Sequence, residues 1–172
     1  VFFYGYMKHA IEEYLIKSKM NNLYSIVRIT KVYSKNLKIK SLISEHLALL
    51  GKSFPYPVID NLYTNHIDLE SVCKAIFKIS SKKLSGIYHL GGKDIMSRKD
   101  IIRNINNFLI KHNLEEHCIG AEYTSSKNVP NFKYLPLNTS LDCNKSLIEL
   151  DMNGTSLISS LHGSIREYLK IG

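Results

Sequence analysis

Helical and extended segments alternate along these 172 residues without a repeat or a low-complexity linker, and strands separated by helices restrict a chain to an α/β fold with a largely parallel sheet. The first helix is predicted over 4–19, where Met7, Ala10, Ile11, Tyr14 and Leu15 form the i, i+3, i+4 stripe of a helix that packs on a sheet. A strand is predicted over 23–29. A second helix, 39–50, stops at Gly51, and 54–59 is extended but carries Pro55 and Pro57, which places it at a sheet edge. Asp68 is the predicted N-cap of a helix over 69–80 and Ser97 that of a helix over 98–111, with a short buried strand at 86–90 between them. Residues 118–123 read as extended and 124–137 as a loop. Two helices, near 143–150 and 155–170, close the sequence.

Composition narrows the class further. With 44% apolar residues the chain lies outside the disordered class, and its length supports one domain with a real core. No apolar run approaches the length of a membrane span and no secretory signal opens the sequence, so the expectation is a cytoplasmic protein with no membrane partner. Cys73, Cys118 and Cys143 are widely spaced and form no C-x-x-C, which argues against both a disulfide framework and a zinc site. His46, His66, His89 and His162 show no metal-ligand spacing and read as ordinary helix and loop histidines. The formal charge of +8 comes from 23 basic residues scattered along the chain, with lysine far outnumbering arginine. Bidentate readers of bases and phosphates are therefore scarce, and no nucleic-acid role is expected. A basic cleft for an anionic ligand remains compatible with this charge.

The residue pair with the clearest chemistry is Tyr4 and Lys8. Four places apart on a helix, the two side chains share one face, and an ammonium near a phenol favours phenolate, which makes the phenol a usable proton donor. The spacing recurs at Tyr123 and Lys127, and with 11 tyrosines in the chain about one such match is expected by chance. Context selects the first pair.

That context is a series of motifs in a fixed order: Tyr4-Gly5-x-x-Lys8 with Glu12-Glu13, then Ile26-Val27-Arg28-Ile29-Thr30-Lys31-Val32-Tyr33. Asp60-Asn61-Leu62-Tyr63-Thr64 then runs into Asp68-Leu69, and Gly86-Ile87-Tyr88-His89-Leu90-Gly91-Gly92 and Pro136-Leu137-Asn138-Thr139-Ser140-Leu141-Asp142 follow. In these motifs the chain resembles the extended short-chain dehydrogenase/reductases, and more narrowly their dTDP-4-dehydrorhamnose reductase branch. The resemblance covers nearly the whole chain but only the second half of the family pattern. The Gly-x-x-Gly-x-x-Gly phosphate loop and the family's catalytic Ser or Thr have no counterpart in this sequence.

The resemblance implies that residues 1–172 form the C-terminal half of a Rossmann-like, doubly wound parallel sheet with an interleaved small substrate lobe. The N-terminal cofactor-binding half is absent, so the chain reads as a fragment, a truncated product or half of a split protein, inactive by itself. Residues 23–29 and 86–90 would be late strands of the main sheet, and 54–59 and 118–123 would belong to the lobe. The sheet edge left open is a site for an N-terminal half or a second copy. By resemblance, the full protein reduces a nucleotide-linked 4-keto sugar with NADPH or NADH. Tyr4 protonates the alkoxide, Lys8 holds the nicotinamide ribose, Thr30 lies against the cofactor, and Lys31, Thr64 and Asn138 meet the substrate. Lys31 stands where the branch often has tryptophan, Tyr63 replaces a proline and Leu135 an arginine. Thr64 reads equally as a plain polar loop residue, and Arg28, on an otherwise apolar strand, as a structural cation in need of a partner. An epimerase or dehydratase with the same Tyr/Lys pair, and a non-catalytic regulatory subunit of the same fold, are the alternatives.

Overall fold

The computed structural model describes residues 3–18, 24–52 and 54–171. In chain order the elements are α1 (Phe3–Lys17), β1 (Ser25–Ile29), β2 (Val32–Tyr33), α2 (Leu42–Leu47), β3 (Tyr56–Ile59), β4 (Thr64–Asn65), β5 (Ile67–Asp68) and α3 (Leu69–Ser81). They continue with β6 (Gly86–Leu90), β7 (Ile95–Met96), α4 (Arg98–Lys111), β8 (Ala121–Thr124), α5 (Asn144–Glu149) and α6 (Leu157–Leu169). Lys19 and Leu23, the predicted ends of the first helix and first strand, lie outside the described residues.

Two parallel ladders carry the architecture. β1 runs alongside β6 from Ser25 opposite Gly86 to Ile29 opposite Leu90, and β3 runs alongside β8 from Tyr56 opposite Ala121 to Ile59 opposite Thr124. The predicted grouping of 23–29 with 86–90, and of 54–59 with 118–123, is the observed pairing. Two shorter ladders, β2 with β5 in parallel and β4 with β7 antiparallel, tie the two regions together. No sequence period announced them, because strands of two residues are set by their tertiary surroundings and not by local pattern.

Each region has its own core. One face of the β1–β6 ladder presents Val27, Tyr88 and Leu90 to Val72, Ala75 and Ile79 of α3, with Leu150 closing the cluster. Helix α3 starts where Asp68 Oδ1 accepts the Ser71 amide at 3.1 Å, as its sequence predicts. The larger core gathers Ile43 and Leu47 of α2, Val58 of β3, Ile101, Ile105 and Leu109 of α4 and Leu157, Leu161 and Ile165 of α6. The Ser97 hydroxyl accepts the Asp100 amide while the Asp100 carboxylate accepts the Ser97 amide, a reciprocal cap that fixes the start of α4. Helix α2 is shorter than its predicted span of 39–50, because Ser41 and Ser44 form a capping box that starts it at Leu42.

Helix α1 departs from expectation. Its apolar stripe was predicted to pack on the sheet, yet none of Phe3–Lys17 is buried. The sheet face opposite α3 explains this, since its centre is polar: Arg28 of β1 stands beside His89 of β6. The guanidinium reaches α1 through Glu12, with Nε donating to Oε1 at 3.1 Å, and approaches His89 Nε2 at 3.2 Å. The hydrogen bond to Arg28 holds the Glu12 carboxyl below its ordinary range and raises the guanidinium's basicity in turn. Arg28 thus finds the partner its position requires. His89 is a strand residue of this polar patch, not a helix or loop histidine.

Candidate functional site

A groove of about 770 Å³ opens where the larger core meets the short ladders. Tyr56, Pro57, Val58 and Ile59 of β3 form one wall, with Ser41, Leu42 and Glu45 at the start of α2 beside them. Lys31 and Val32 enter from the start of β2, Thr64 and His66 from β4 and the residue after it, Met96 and Arg98 from the β7–α4 junction, and Thr124, Val129 and Phe132 from the end of β8 and the segment that follows.

The groove brings together two of the residues selected in the sequence, Lys31 and Thr64. Lys31 is fixed through its backbone, whose carbonyl accepts the Ile67 amide at 3.0 Å, so its exposed side chain is free to face the opening. Thr64 is buried and paired with Met96 across the β4–β7 ladder. Asn138 lies outside the lining. It pairs with Tyr63 through the backbone, and its Oδ1 accepts the Ser140 amide at 2.9 Å. Thr30 also lies outside; its hydroxyl donates to the Asn65 carbonyl and its amide to the Leu90 carbonyl, which joins the end of β1 to β4 and β6.

Tyr4 and Lys8 share one face of α1, with the Lys8 ammonium 5.5 Å from the centre of the Tyr4 ring. Tyr4 is 71% exposed, and neither residue lines the groove. The competing pair is not a helical one. Tyr123 lies on β8 and receives the ammonium of Lys99 over its ring at 5.2 Å, while Lys127 falls in a separate 3₁₀ turn. Among the described residues, only the Tyr4–Lys8 pair offers a phenol and an ammonium on one helix face at this spacing.

Sequence reasoning passed over the groove's other polar residues. Among the described residues Arg98, the first residue of α4, makes only long contacts: 3.4 Å to the Tyr56 hydroxyl and 3.9 Å to Glu45. His66 is 5% exposed, and its Nδ1 is buried without a hydrogen-bond partner among the described residues. Burial, reinforced by the charges of Lys31 and Arg98, pushes its imidazole down to about 4, so the ring is neutral at pH 7. Nothing in the local pattern around Asn65-His66-Ile67 marks this histidine as a wall residue. Arg98 was equally silent, since only the β3–β7–α4 packing turns it toward the groove.

The chain's fit to a nicotinamide cofactor is divided. Tyr4 and Lys8 stand open on α1 and suit a ribose, whereas the pyrophosphate finds no glycine-rich loop in this sequence. Among the described residues no group of three His, Cys, Asp or Glu side chains could hold a metal ion, and no helix is long and apolar enough to cross a membrane.

Parallel strands alternating with helices around two cores define a Rossmann-like α/β architecture. Solved structures agree. The chain matches a dTDP-4-dehydrorhamnose reductase from Bacillus anthracis, solved in complex with NADP, at a TM-score of 0.67 and 19% identity, over 98% of this chain and 55% of that one. The corresponding reductase from Yersinia enterocolitica matches at 0.72 and 16% identity over 92% and 54%. The ADP-L-glycero-D-manno-heptose-6-epimerase of Helicobacter pylori matches at 0.66 and 16% identity over 98% and 51%. The chain therefore has the fold of dTDP-4-dehydrorhamnose reductases and related epimerases, and spans about half the length of these structures. No family model matches the sequence, and no curated protein matches it either.

Proposed function

We propose that this chain is the catalytic and substrate-binding, C-terminal half of a cytoplasmic NAD(P)H-dependent reductase acting on a nucleotide-linked 4-keto sugar. The observation that carries the reading is the match over 98% of the chain to an NADP-complexed reductase, together with a groove lined by Lys31 and Thr64. The cofactor-binding half is supplied by residues outside this sequence, on the same chain or a second one. The single β1–β6 ladder of the main sheet and helix α1, none of whose residues is buried, support that arrangement.

Tyr4 donates the proton that quenches the alkoxide formed at the reduced carbonyl, and Lys8 binds ribose hydroxyls. NADPH or NADH, when bound, supplies the hydride. Thr30 positions the end of β1 against β4 and β6, while Lys31, Thr64 and Asn138 are the substrate-side residues. A second reading, a nucleotide-sugar epimerase, draws on the match to the heptose epimerase at a comparable TM-score.

The test is kinetic. In the assembled protein, this chain with its cofactor-binding half, Tyr4→Phe lowers reduction of dTDP-4-keto sugars by at least about 10²-fold with little change in cofactor affinity, and Lys8→Met harms both. Full turnover by Tyr4→Phe contradicts the assignment. Interconversion of two nucleotide sugars without net consumption of NAD(P)H identifies the epimerase.

A further inference from the structure

The charged lining of the groove is unbalanced in a specific way. Lys31 and Arg98 are its two cations and Glu45 its one carboxylate, and His66 between them is neutral. Among the described residues the Lys31 ammonium has no ion-pair or hydrogen-bond partner. Arg98 is only loosely engaged, because 3.9 Å to Glu45 is an ion-pair distance but too long for a hydrogen bond, and 3.4 Å to Tyr56 is a weak one. A guanidinium offers five donors in a planar fork, so most of its capacity is unspent. The buried wall between the cations contains a further unspent polar atom, Nδ1 of His66. Apolar surfaces of Val58, Leu62, Met96 and Phe132 complete the lining, and a low-dielectric wall strengthens any charge pair formed against it.

We propose that the groove selects a sugar unit bearing a carboxylate, seated between the Lys31 ammonium and the Arg98 guanidinium. This rests on the nucleotide-sugar reading above and adds the class of sugar to it. Among the described residues the lining carries one net positive charge, which a single carboxylate on the sugar unit balances. The geometry agrees, since a planar carboxylate suits the open fork of Arg98 while Lys31 contributes a mobile point charge from the exposed side. Neutral His66 adds no charge to the pair.

UDP-glucuronate and UDP-glucose isolate this contribution, because they differ only at C6, carboxylate against hydroxymethyl. Calorimetric titration of the assembled protein, this chain with its cofactor-binding half, at low ionic strength is expected to show UDP-glucuronate binding roughly five- to tenfold more tightly. That preference falls below about twofold in Lys31→Met and in Arg98→Met, and is retained in Lys31→Arg. Lys31 is exposed, so its substitutions leave the fold intact. Equal affinity for the two ligands overturns the carboxylate seat while leaving a nucleotide-sugar groove in place. Equal loss of both ligands in Lys31→Met overturns it in favour of a diphosphate contact. No binding of either ligand overturns both this inference and the nucleotide-sugar reading.

Discussion

Replacing Asn65 by alanine is expected to cost about 3–4 kcal/mol of stability. The side chain is 3% exposed and joins three segments distant in sequence. Its Nδ2 donates to the Gly92 carbonyl at 3.0 Å and the Leu141 carbonyl at 2.9 Å, while its Oδ1 accepts the Leu141 amide at 3.0 Å. Two carbonyls on one side and an N–H on the other fix the amide orientation. Each bond contributes about 1 kcal/mol net, and a carbonyl left buried without a partner adds to the loss. Gly91 shows how closely this amide is packed, since a Cβ there would stand 2.5 Å from Nδ2. Urea unfolding followed by circular dichroism reads the change as a fall of roughly 1.5–2 M in midpoint at constant m, taking m near 2 kcal/mol per molar. Asn65→Asp retains the acceptor but sets a second acceptor against two carbonyls, so it is expected to be no better than alanine. A loss below about 1 kcal/mol for alanine, or an aspartate variant as stable as wild type, would refute the three-bond account. Function is involved as well, because these bonds hold the 138–142 segment that carries Asn138.

Two further outcomes follow from the site. His66 titrates near 4 in the folded chain against an ordinary 6.5, so on acidification the unfolded state takes up the proton first. Its contribution is complete above about pH 6.5 and is lost as the pH falls toward 4, by up to about 3 kcal/mol. Stability of wild type relative to His66→Gln, measured by chemical denaturation from pH 7 to pH 4, should decline over that window, and parallel curves would show that the ring is not held neutral by the fold. The 172-residue chain alone should bind NADPH no more tightly than millimolar, because no glycine-rich loop receives the pyrophosphate; micromolar binding by calorimetry would place a cofactor site on this half and contradict the proposed division of labour.

How far the sequence reaches depends on whether the signal is local. Asp68 and Ser97 are visible as caps because a cap is a contact within three residues. The β1, β3, β6 and β8 segments are visible because four or five residues suffice to show an extended pattern, whereas the two-residue strands exist only through their partners. The stripe on α1 was legible, but its burial was not, since that depends on what covers the sheet and on the Glu12–Arg28–His89 contact that spans three elements. At the groove, Lys31 and Thr64 came from motif order. Arg98 and His66 did not, because an arginine after a helix cap and a histidine between two short strands acquire meaning only from what tertiary packing sets beside them.

The central claim, that this chain carries the nucleotide-sugar site, is tested most directly by titrating ¹⁵N-labelled chain with dTDP-glucose and following amide shifts. The account predicts saturable shifts grouped at Lys31, Thr64, His66 and Arg98, with the α3 surface unmoved. No shift at millimolar ligand, or shifts confined to elements away from the groove, would contradict it.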